Sequence, residues 1–85
     1  MNSTPLRVLV VDDTAFYRKI VAEALRAIPD VEVVGTAVNG RAAIEKYHEL
    51  RPDLLTLVLE MPELDGIAVL RRLQALPTPP GVIML

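Results

Sequence analysis

The chain has 85 residues, no cysteine and a formal net charge of −2. That length allows one small domain, and the lack of cysteine excludes disulfides and thiolate metal sites. No basic run is present, which argues against nucleic-acid binding through phosphates, and no apolar run approaches the roughly 20 residues of a membrane span. Hydrophobic residues make up 52% of the chain. A domain this small buries only about 60% of its unfolded surface, so part of that apolar content is expected to need a partner. The opening MNSTPLR has no apolar signal-peptide core, and a soluble cytoplasmic protein is the expectation.

Leu6 to Val11 is a short apolar run rich in β-branched residues and reads as a first strand. It breaks at Asp12-Asp13, with Thr14 placed to cap a helix. Ala15 to Ile28 has helical period. Phe16, Ile20 and Ala24 form one apolar stripe, and Tyr17, Val21, Leu25 and Ile28 form another beside it. The two together are wider than packing on one sheet requires. Pro29-Asp30 ends this helix, and Val31 to Ala37 reads as a second strand.

Asn39-Gly40 is a turn signal. Arg41 to Leu50 reads as a second helix with Ala43, Ile44, Tyr47 and Leu50 facing inward. Arg51-Pro52 stops it, because a residue before proline disfavours helix. The run Leu54 to Leu59 lacks polar alternation, which suits a strand buried on both faces of a parallel sheet. It breaks at Glu60-Met61-Pro62. A third helix follows, with Asp65 as its N-cap and Val69, Leu70, Leu73 and Leu76 on its buried side. After a stiff loop at Pro77 to Gly81, Val82 to Leu85 reads as a fourth strand. The order β-α-β-α-β-α-β means a parallel sheet with helices on both faces.

Open α/β sheets bind ligands at the C-terminal ends of their strands. Asp12 and Asp13 stand there, directly after the first strand. Two adjacent carboxylates can hold a hard cation such as Mg²⁺, or simply cap a helix and start a solvated loop. The βαβ context favours the cation, with Glu60 at the matching end of the third strand; Glu60-Met61-Pro62 reads equally as a plain strand exit or as a turn whose Glu60 backbone carbonyl faces the acidic pair. His48, the single histidine, lies on the polar side of the second helix and is expected to be solvated, as are Arg71 and Arg72 on the third. Thr56 reads as a strand filler. No glycine-rich phosphate loop, nucleophile elbow or zinc spacing is present.

The stretches VLVVDDTAFYRKIV, EVVGTAVNGRAAIEKYHELRPDLLTL and EMPELDG resemble a response-regulator receiver domain over nearly the whole chain. TLVLEMPELDG and the PTPP-VIML run are similar to the N-terminal regulatory domain of chemotaxis protein-glutamate methylesterase. The resemblance implies a flavodoxin-like, CheY-like doubly wound fold, with strand order 2-1-3-4 for the strands present. It implies a pocket where an aspartate on the third strand takes a phosphoryl group from a histidine kinase. Asp12 and Asp13 match the family's metal-holding pair, Val58 falls on the phosphoacceptor position, and Glu60 supplies the metal-contacting carbonyl. The family's later hydroxyl residue, lysine and last helix would lie beyond Leu85, so the chain reads as a single partial receiver over residues 1–85.

Phosphoryl transfer needs a nucleophilic oxygen held in line, and the isopropyl group of Val58 has none. The expected protein is therefore a phosphorylation-incompetent receiver of two-component signalling, not itself an enzyme. Mg²⁺ binding should be weak or lost. A histidine kinase is expected to dock without transfer, and the uncovered apolar face to give either a homo-oligomer built on the first helix and fourth strand or a loosely packed monomer. No nucleic-acid or membrane partner is expected. The same residues leave two alternatives open. One is a metal-dependent α/β phosphoryl-transfer enzyme fragment using Asp12 and Asp13. The other is an interaction or dimerisation module derived from a receiver.

Overall fold

The computed structural model describes residues 4–61 and 64–85. Four strands alternate with three helices: β1 (Leu6–Val11), α1 (Ala15–Arg26), β2 (Val31–Ala37), α2 (Gly40–Leu50), β3 (Leu54–Leu57), α3 (Gly66–Gln74) and β4 (Gly81–Met84). All strand pairs are parallel, and the sheet order is β2-β1-β3-β4. This is the doubly wound, flavodoxin-like arrangement expected.

Alternation along the central strands divides the core in two. Leu9, Val11, Leu55 and Leu57 face one side and pack with Ala43 and Tyr47 of α2 and Val69 and Leu73 of α3. Val8 and Val10 face the other side and pack with Ala22 of α1. Burying such a side chain fully stabilises the fold by about 1.5–3 kcal/mol, so the larger of the two clusters dominates. β1 and β2 slip register between Val8 and Leu9, where Val8 opposes Val33 and Leu9 opposes Gly35. Val34 is the extra residue of that bulge.

Several boundaries differ from the sequence expectation. α1 stops at Arg26, not Ile28. Ile28 precedes Pro29 and is steered out of the helical region. The chain tightens there, with the Ile28 N–H donating to the Leu25 carbonyl at 3.0 Å, and turns through Asp30 at φ 65°. β3 ends at Leu57, two residues early, because beyond Val58 the chain folds back towards the start of α3. Pro62, expected to stop this strand, lies outside the described residues. Asn39-Gly40 is the start of α2. The Asn39 side chain accepts from the Ala42 N–H at 2.8 Å, satisfying one of the orphan donors of the first turn.

Arg51 closes α2 in the left-handed region at φ 50°, with its N–H on the Tyr47 carbonyl. The Arg7 guanidinium donates to the Arg51 carbonyl at 2.9 Å, and the Arg51 head lies 5.4 Å from the Tyr47 ring centroid. Those contacts offset the ~1–2 kcal/mol that a non-glycine residue loses in this conformation.

Candidate functional site at the carboxyl edge of the sheet

Asp12 leaves the end of β1 and is buried, at 6% exposure. Its N–H donates to the Ala37 carbonyl at 3.1 Å, which continues the β1–β2 ladder by one residue. Its Oδ1 accepts the Thr14 N–H at 2.9 Å. The expected capping role is therefore reversed: Thr14 occupies the N-cap position of α1 without a side-chain cap bond, and Asp12 satisfies the Thr14 amide. Asp13 is exposed.

Register sets the other half of the site. Val11 stands opposite Leu57, and the Val58 N–H donates to the Val11 carbonyl at 3.3 Å. Val58 thus enters the edge alongside the Val11-Asp12 step. Its side chain is half-buried and packs against the larger core cluster. Leu59 and Glu60 follow, both exposed. The Gly66 N–H donates to the Leu59 carbonyl at 2.9 Å, and a Cβ at Gly66 would overlap the Val58 carbonyl oxygen. Only glycine lets α3 start this close to the loop. Asp65 caps α3 by accepting from the Ala68 N–H at 2.9 Å.

The structure therefore brings Asp12 and Val58 to one edge, with Asp13 and Glu60 on the exposed loops that continue from them. His48 lies apart on α2, its ring packed edge-on to Tyr47 at 5.4 Å. Arg71 and Arg72 are exposed on α3. The sequence reading missed Arg18. Its Nη1 donates to the Asp12 carbonyl at 2.8 Å, which ties the first turn of α1 to the acidic edge. Its position four residues past Thr14 was the available signal, since it puts Arg18 on the same helix face one turn on.

The donor set decides how well Mg²⁺ fits. Hard cations of this kind take several oxygen ligands, carboxylates among them. Among the described residues no group of three or more His, Cys, Asp or Glu is arranged to hold a metal. One Asp12 oxygen is already engaged by Thr14, and Val58 adds only an apolar group to this edge. The described residues do not fit a tight Mg²⁺ site.

A parallel, doubly wound sheet with an acidic pair after its first strand and a loop after its third defines a receiver-type domain. The chain belongs to the response regulator receiver domain family, whose model matches residues 8–85. It is 54% identical over 80 residues to a protein-glutamate methylesterase/protein-glutamine glutaminase of Desulfotalea psychrophila, covering 94% of this chain and 22% of that protein. Among solved structures it is similar to the response regulator domain of Thermotoga maritima CheB, at 45% identity and a TM-score of 0.88, covering 94% of this chain and 59% of that one. It is also similar to a chain in the complex of the P1 domain of CheA3 with CheY6 from R. sphaeroides, at 36% identity and a TM-score of 0.80, covering 96% and 64%. Within the family it resembles the receiver portion of chemotaxis methylesterases. No helix among the described residues is long and apolar enough to cross a membrane.

Proposed function

We propose that this chain is a receiver of chemotaxis methylesterase type that does not accept a phosphoryl group. Family membership places it in two-component signalling. The observation that carries the finer reading is Val58. It stands at the receiver's acceptor position, bonded through its amide to Val11 and packed against the core. No oxygen is available from that side chain for in-line attack. Asp12 and Asp13 are poor substitutes, since the first is buried and hydrogen-bonded and the second sits on the outer loop. The chain is proposed to do no catalysis of its own. Asp12, Asp13 and the Glu60 carbonyl bind Mg²⁺ weakly at most.

A histidine-containing kinase domain remains the proposed partner, docking without transfer. The complex of the CheA3 P1 domain with CheY6, a relative in fold, supports that class of partner. The chain also self-associates in this reading. Phe16 is 66% exposed, Tyr17 57% and Ile83 49%, and all three lie on or beside the sheet face that α1 covers. Exposed apolar side chains of this size on one side of the sheet support a contact surface there.

The test is phosphotransfer from a radiolabelled phosphohistidine kinase domain. The label should stay on the histidine in the presence of the chain. Transfer at stoichiometric yield would overturn the proposal. Hydrolysis of a phosphate ester with Mg²⁺, in a parallel assay, would instead favour a metal-dependent enzyme using Asp12 and Asp13.

A further inference from the structure

α2 and α3 lie side by side, and the first turn of α2 presses against the chain just before α3. A Cβ at Gly40 would overlap the Leu64 carbonyl. Beside that contact a cavity of about 350 Å³ opens, lined by Arg41, Ile44, Glu45, Leu64 and Arg72. Its size falls within the range of small-ligand sites.

The lining is ordered by chemistry. Arg41, Ile44 and Glu45 are spaced i, i+3 and i+4 and so share one face of α2. Ile44 and Leu64 are half-buried and rest on the core cluster, forming an apolar floor. Arg41 and Arg72 are exposed at the rim and come from two different helices. Among the described residues the guanidiniums of Arg7 and Arg18 are spent on backbone carbonyls, whereas Arg41 and Arg72 border the cavity. A guanidinium fork matches a carboxylate, and two forks can hold one from both sides. Among the described residues the lining, Glu45 included, carries a formal charge of +1, opposite in sign to the chain's −2.

We propose that this groove binds a short peptide segment of a partner protein in which an acidic side chain lies next to a branched aliphatic one. The carboxylate sits between Arg41 and Arg72. The aliphatic group rests on Ile44 and Leu64. Glu45 accepts a backbone N–H of the segment. A polynucleotide does not suit the groove, because its floor is apolar and Glu45 repels phosphate.

The test uses ¹⁵N-labelled chain and two peptides, N-acetyl-Glu-Leu-amide and N-acetyl-Gln-Leu-amide. The first should produce saturable amide shifts confined to the Arg41–Glu45 turn, Leu64 and Arg72. The second should bind about tenfold more weakly or not at all, the scale of one charge-assisted hydrogen bond. Arg41→Gln and Arg72→Gln should each weaken the first peptide about tenfold, with well-dispersed spectra showing that the variants are folded. Absence of saturable shifts, shifts centred elsewhere, or equal binding of the two peptides and by the two variants would each overturn the proposal.

Discussion

The Gly66 amide donates to the Leu59 carbonyl at 2.9 Å, and the Gly66 Cα leaves no room for a side chain beneath the Val58 carbonyl. The start of α3 is thereby locked to the loop that carries Val58. Gly66→Ala forces backbone against backbone, which a flexible side chain cannot relieve. The expected cost is about 1–3 kcal/mol, read as a lower urea midpoint at unchanged slope. An unchanged midpoint would show that the loop moves freely relative to α3.

Thr56 lies between Val10 of β1 and Ile83 of β4. Its side chain is buried at 5% exposure, and its hydroxyl has no hydrogen-bond partner among the described residues. A buried hydroxyl left unpaired costs about 1–3 kcal/mol. Thr56→Val keeps the branched shape and removes that penalty, so the variant should be more stable by about 1 kcal/mol in chemical denaturation. A less stable variant would mean that the hydroxyl is satisfied in solution.

The strands, their parallel direction and most inward residues were legible in the sequence, because the apolar runs are short and separated by clear helical periods; the order of the strands in the sheet came only from the resemblance. Val69, Leu73, Ala43 and Tyr47 fall in the core where periodicity puts them. The early end of β3 was not legible. Leu59 looks like a continuing strand residue, whereas in the structure its carbonyl accepts from Gly66, seven residues away, as the chain turns aside. The Asp12–Thr14 and Arg18–Asp12 bonds were hidden for a similar reason. Both depend on how the first turn of α1 meets the sheet, and residue spacing alone does not fix that angle. Asp12 and Asp13 offered a cation site on their own chemistry, but Val58 could be assigned a role only by resemblance, since an apolar residue carries no chemical signal of the group it replaces.

Val58→Asp should crowd a third carboxylate against Asp12 and Asp13. Two like charges ~4 Å apart repel by about 4 kcal/mol at an effective dielectric near 20, before screening. The metal-free variant is therefore expected to be less stable than the parent. Mg²⁺ should restore part of the loss through preferential binding to the folded state and should bind the variant more tightly than the parent. Titration calorimetry giving equal Mg²⁺ affinities for the two would contradict this.

Light scattering should show the parent chain associating as its concentration rises. Phe16→Lys should shift that equilibrium towards monomer by at least about tenfold, a change of roughly 1.4 kcal/mol. Phe16 is 66% exposed, and a surface replacement of this kind is expected to change folding stability by no more than about 0.5 kcal/mol. A parent that stays monomeric at all concentrations would remove the self-association surface.

The central claim is that Val58 prevents phosphoryl acceptance, and intact-mass spectrometry after incubation with acetyl phosphate and Mg²⁺ tests it most directly. The parent chain should show no added phosphoryl group under conditions where Val58→Asp gains one that is lost in base. Stoichiometric phosphorylation of the parent, mapped to any residue of the carboxyl edge, would contradict the account.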